Sequence, residues 1–158
     1  MRALLQRVDW AEVEVDEKVV GRIEHGLLVY VGVSTTDAPA DAEALARKVA
    51  TLRIFEDSAE KLNLSVQDAN GGVLVVPNFT LMAETRKGRR PAFVAAAPAE
   101  LAKPLQENFV AGLKREGCSV QQGIFGARMT VRSAAAGPVN VIVDYPPLCG
   151  ASEVRSEK

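Results

Sequence analysis

The chain has 158 residues, 47% hydrophobic and 25% charged, with a formal net charge of −1. That length suits one domain with its own core, and the near-neutral balance excludes a protein coated in positive charge while leaving room for a local basic patch. Apolar runs fall short of the roughly 20 residues that span a bilayer, so no membrane partner is expected.

The elements follow in chain order. "MRALLQRVDWAEVEV" meets charge too early for a secretory h-region. Within it, "RALLQRV" and "AEVEV" alternate as strands do, and "AEVEVDEKVVGRIE" reads as a hairpin around a polar turn at 16–18. "GLLVYVGV" (26–33) is a continuous apolar run, the pattern of a buried central strand. Ala42, Leu45, Ala46, Val49 and Leu52 then recur at helical spacing, with Asp37 or Asp41 as N-cap. "EDSAEKLNLSVQDANGG" predicts a loop with one short strand at "LNLSV", "VLVV" (73–76) a second buried strand, and "PNFTLMAETRKGRRPAF" a long loop. Leu105, Phe109 and Leu113 share one face of a second helix, which Gly117 ends.

Strands at "CSVQQG", "ARMTVRSA" and "VNVIVD" follow. Ala-Ala-Gly-Pro separates the last two, because Pro138 has no N–H for a ladder and Gly137 tolerates backbone angles other residues avoid. Residues after Tyr145 are Pro-rich and then charged, so 146–158 is read as a tail. The whole predicts a single α/β domain over 1–145, a mostly antiparallel, barrel-like β core with two outer helices.

Chemistry has few places to sit. Cys118 and Cys149 suit neither a disulfide framework nor a zinc site, which points to a reducing cytoplasm. His25 is the only histidine and falls at a corner between two strands, so neither a metal centre nor a histidine-based triad is expected. Three stretches remain. In "VVPNFTL" a buried strand emerges as loop, presenting Asn78, Phe79 and Thr80, or it is a strand that simply ends at Pro77. In "TRKGRRP", Arg86, Lys87, Arg89 and Arg90 surround Gly88, a group that holds phosphates or only solvates a loop. In "GIFGARM", glycines flank Phe125 ahead of Met129, which makes a base-sized slot or a β-bulge.

Taken together, "LRIFEDSAEKLNLSV", "VLVVPNFTLMAETRKGRRPAF", "GIFGARMTV" and "AAGPVNVIVD" have the order and spacing of the D-aminoacyl-tRNA deacylases. With "RALLQRV" and "GRIEHGLLVYVGV" the resemblance covers roughly 1–145. It implies hydrolysis of the ester joining a D-amino acid, or glycine, to the 3′-terminal adenosine of tRNA, by a homodimer with no metal or organic cofactor. The implied oxyanion donors are amides near Phe79 and Thr80, with the RNA 2′-hydroxyl assisting and Thr80 a further participant. Gly137 and Pro138 are expected to reach into the partner subunit's pocket, their carbonyls, typically around a cis peptide, holding the substrate α-amino group. Phe125, Gly126 and Met129 match the segment associated with the terminal adenosine, and Arg86, Lys87, Arg89 and Arg90 are expected to meet tRNA phosphates.

Four signature positions depart from the usual Ser-Gln-Phe-Thr-Leu and Asn-x-Gly-Pro-Val-Thr. Pro77 stands for Ser, Asn78 for Gln, Ala135 for Asn and Asn140 for Thr, while Phe79, Thr80, Leu81, Gly137, Pro138 and Val139 are kept. Pro77 removes a backbone donor and a hydroxyl, and Asn78 shortens the amide's reach. A branch of the family that clears L-alanine from a threonine tRNA also starts its first signature with Pro. Two alternatives therefore accompany the leading reading: a deacylase of relaxed chirality acting on L-alanyl-tRNA, and a catalytically silent paralogue that binds tRNA ends.

Overall fold

The computed structural model describes residues 1–147; most of the expected tail, including Cys149, lies outside the described residues. The core is one six-stranded sheet. Strands β1 (Arg2–Val15), β2 (Lys18–Ile23), β3 (Gly26–Gly32), β6 (Gly72–Pro77) and β7 (Ser119–Gln122) lie in the order β2-β1-β3-β6-β7, and β8 (Thr130–Asp144) pairs with the other edge of β1. Three ladders are antiparallel (β1 with β2, β3 and β8) and two are parallel (β3–β6 and β6–β7). The sheet rolls until Gly21 of β2 faces the Gln122 carbonyl of β7, which nearly closes a barrel. A small β4 (Phe55–Glu56) and β5 (Leu62–Leu64) ribbon stands beside it.

Helices α1 (Pro39–Thr51) and α2 (Ala99–Arg115) cover one face. There Leu5, Leu27, Val29, Val73 and Val75 pack against Leu45, Val49, Leu105, Phe109 and Leu113. The other face closes on Val8, Val13, Leu28, Leu74 and Val76. Both faces of β3 and β6 are therefore buried, as their unbroken apolar sequences require. Neither Asp37 nor Asp41 caps α1. Ala38 holds the N-cap position, Asp41 in the first turn accepts from the Ala38 N–H at 2.8 Å, and Asp37 is drawn away to the Met1 amino group at 2.6 Å.

The helices touch at Gly112, where an added Cβ would lie 2.7 Å from the Ala46 methyl. Gly112→Ala is expected to lower stability by about 1–3 kcal/mol through overpacking. Urea unfolding checks this, and an unchanged midpoint would show that the helices slide apart freely.

Two of the sequence-level divisions disappear in three dimensions. "RALLQRV" and "AEVEV" form one strand, and "ARMTVRSA" and "VNVIVD" form another that continues past Gly137 and Pro138. Continuity survives because the four residues 136–139 loop out opposite the single residue Arg7, between the pairs Gln6–Asn140 and Val8–Ala135. The ladder thus asks Pro138 for no donor. The Gly137–Pro138 peptide is cis.

Candidate functional site

β3 and β6 run parallel, and their pairing ends at Val31 and Pro77. The Asn78 N–H donates to the Val31 carbonyl at 2.8 Å. Strand alternation turns the Pro77 nitrogen the opposite way, toward β7, whose pairing with β6 stops at Val75 and Gln122. No donor is needed there, so proline is accommodated at this strand end.

The chain then enters a 3₁₀ turn, Phe79–Met82. The Asn78 side-chain oxygen caps it, accepting from the Thr80 N–H at 3.1 Å and from the Thr80 hydroxyl. Leu81 N–H donates to the Asn78 carbonyl and Ala83 N–H to the Thr80 carbonyl. The Phe79 N–H is left without a partner among the described residues, at a residue 60% exposed. From β1, Arg2 reaches the Leu81 carbonyl at 3.4 Å while Asp144 grips it at 2.7 and 3.2 Å. That hydrogen bond raises the Arg2 pKa further.

Beside this turn lies a cavity of about 340 Å³. Pro77, Asn78 and Phe79 form one wall, and Phe125, Gly126 and Met129 another, with Gly126 in the left-handed region at φ 76°. Ala102 and Gln106 of α2 complete it. Residues far apart in sequence, on the first and third of the stretches singled out, therefore share one concave surface. Thr80 does not line the cavity, and neither do Gly137, Pro138, Val139 and Asn140.

The Gly-Pro loop is held elsewhere. Arg7 is 8% exposed, and its guanidinium donates to the Ala136 carbonyl at 3.3 Å, the Ile54 carbonyl at 3.1 Å and the Glu56 carboxylate at 3.1 Å. Gly137 sits at φ 113°, and an added Cβ there would come within 3.0 Å of both the Arg7 guanidinium and the Val139 side chain. Arg7 pairs with Leu27, four residues along β3 from Val31, a span of about 13 Å. Gly137 and Pro138 are exposed, Val139 packs against the helix-side core, and Asn140 accepts from the Gln6 amide at 3.1 Å.

The basic loop comes back to the rim. A bridge between Glu84 and Ala92 closes it, and the Phe93 ring meets Phe79 edge-on at 5.1 Å. Arg86 is spent on Glu84 at 2.9 Å, and its hydrogen bonds hold that carboxyl below the ordinary range. Lys87, Arg89 and Arg90 are exposed and make no ion pair among the described residues.

His25 is exposed at the β2–β3 corner, its ring edge-on to Phe55 at 5.2 Å and away from this cavity. The described residues hold no group of three or more His, Cys, Asp or Glu placed for a metal, and no helix among them is long and apolar enough to cross a membrane. Arg7, Glu56 and Gln106 were not legible as site residues. Glu56 and Gln106 stand beside other polar residues, Asp57 and Glu107, so the local sequence does not mark them out.

A barrel-like α/β domain with a cavity at the ends of parallel strands, lined by apolar side chains and the amides of Asn78 and Gln106, defines the class of protein. The chain belongs to the D-Tyr-tRNA(Tyr) deacylase family, whose sequence profile matches residues 4–144. It is 51% identical over 148 residues to the D-aminoacyl-tRNA deacylase of Thermotoga petrophila, covering 94% of this chain and 99% of that one. The D-aminoacyl-tRNA deacylase of Koribacter versatilis is 50% identical over 144 residues, 91% of this chain and 97% of the relative. Among solved structures, the c-Myc DNA Unwinding Element Binding Protein superposes with a TM-score of 0.88 at 34% identity, over 92% of this chain and 99% of that one. A probable eukaryotic D-amino acid tRNA deacylase does so at 0.73 and 22% identity, over 90% and 97%, a likeness of fold.

Proposed function

We propose that this protein hydrolyses the ester between a D-amino acid, or glycine, and the 3′-terminal adenosine of tRNA, in the cytoplasm. Its family and the names of its relatives support the reaction. The observation within the chain that carries it is the unengaged Phe79 N–H at the rim of a cavity containing no histidine. Water adds to the ester carbonyl, whose oxygen gathers negative charge opposite that N–H. The C–O bond to the ribose 3′ oxygen then breaks as that oxygen takes a proton, with the neighbouring 2′-hydroxyl assisting. An aminoacyl ester is already activated, so a positioned water and an aimed main-chain donor suffice. In this reading Thr80 braces: its N–H and hydroxyl both go to Asn78.

The working unit in this reading is a homodimer, with Gly137 and Pro138 entering the partner's cavity. Their exposure, their distance from their own cavity, and the 63% exposed Ile142 on the same strand support it. Purified protein is expected to release the amino acid from D-aminoacyl- and glycyl-tRNA. Turnover of L-alanyl-tRNA alone moves it to the relaxed branch. Tight binding of a non-hydrolysable aminoacyl-adenosine with no turnover makes it a silent binder of tRNA ends.

The three unpaired cations of the basic loop are read as phosphate contacts. Joint neutralisation of Lys87, Arg89 and Arg90 to Gln is expected to weaken tRNA binding and reduce the slope of log K against log salt by about 2. An unaltered slope would return the loop to a solubilising role.

A further inference from the structure

Gln106 is the least explained side chain near the cavity. It is 5% exposed on the buried face of α2, among Ala102, Leu105, Phe109 and Val110, where an aliphatic residue would pack without cost. No hydrogen bond joins its amide to any described residue, yet no fully closed-off side-chain nitrogen or oxygen lacks a partner. The small part of Gln106 left open therefore includes its amide, at the cavity the residue lines.

We propose that Gln106 is a specificity-determining residue whose amide reads the edge of the terminal adenine; this rests on the deacylase reading above. A carboxamide presents one acceptor beside two donors, and adenine presents an amino donor beside a ring-nitrogen acceptor, so the two pair bidentately. A substrate ammonium offers donors only and would leave the Gln106 N–H groups unmet in a nearly dry wall. Phe125 and Met129, which line the same cavity, supply an aromatic face and an apolar side chain for a purine to pack on.

The test measures binding of two non-hydrolysable ligands, 3′-(D-alanylamino)-3′-deoxyadenosine and the same compound with purine, lacking the amino group, in place of adenine. Wild-type protein is expected to bind the adenine ligand about fivefold to tenfold tighter, the worth of one good hydrogen bond. Gln106→Met, which fills the same space, is expected to bind both ligands alike, at the strength of wild type with the purine compound. In hydrolysis the variant is expected to raise KM with kcat little changed.

A Gln106→Met variant that keeps the preference, or wild type that binds both ligands alike or neither, overturns the inference. The ligand pair reads the contact on the unaltered protein, so a folding defect in the variant does not protect it. Wild type that prefers adenine but turns over no aminoacyl-tRNA leaves Gln106 its role and defeats the deacylase reading. Turnover without adenine preference does the reverse.

Discussion

Phe79→Pro is expected to lower kcat about 10²–10³-fold relative to Phe79→Ala, the usual cost of deleting one oxyanion donor. The comparison isolates a single N–H. Both variants lose the aromatic ring and its edge contact with Phe93, but only proline loses the backbone hydrogen. The site tolerates proline because Phe79 opens the 3₁₀ turn, where its N–H has no internal partner and a helical φ near −65° is already required. Asn78 before it is extended, at φ −148° and ψ 92°, and so lies outside the α region that a following proline disfavours. Single-turnover hydrolysis of D-aminoacyl-tRNA gives the ratio. Equal rates for the two variants would remove the Phe79 amide from the chemistry and leave the ring alone to account for the position.

Arg7→Met is expected to abolish most activity, about 10²-fold or more in kcat/KM, because a 1 Å misplacement of a positioning loop costs that much. The guanidinium is the single β1 residue facing four on β8, and it ties the Ala136 carbonyl to the Ile54 carbonyl and Glu56. Its removal strands two carbonyls in a nearly dry place, for about 2–4 kcal/mol of stability. The ion pair itself adds little, since Glu56 is half exposed and screened. Arg7→Lys is expected to restore charge without function, because an ammonium lacks the planar fork that serves three acceptors at once. Activity is read beside the urea midpoint. Full activity in a destabilised Arg7→Met protein would separate the Gly-Pro loop from catalysis.

Much of the fold was legible because its signals are local. The apolar runs at 26–33 and 73–76 and the helical spacing of Leu45, Val49, Leu105 and Phe109 appear in the structure where their own neighbours place them, and the polar turn expected at 16–18 narrows to Asp16 and Glu17, with Lys18 opening β2. The helix cap departs from the sequence expectation for the same reason: Asp37 is the right residue type, but it binds the distant Met1 amino group instead of the helix. Proline at 138 was rightly excluded from a ladder. Nothing nearby in the sequence indicates that the strand resumes its pairing with β1, in a shifted register, after a four-residue excursion.

The chain alone determined which segments are strands and helices and, through the order of its motifs, its family. Local propensity, period and residue type suffice for that. Only the tertiary structure decided that Asn78, Phe125 and Gln106 share a cavity, that Arg7 props Gly137, that the Phe79 amide and not that of Thr80 is free, and that Phe93 folds the basic loop against the rim. These are matters of register and hydrogen-bond partnership between residues tens of positions apart, fixed by how a rolled sheet packs and unwritten in any local stretch.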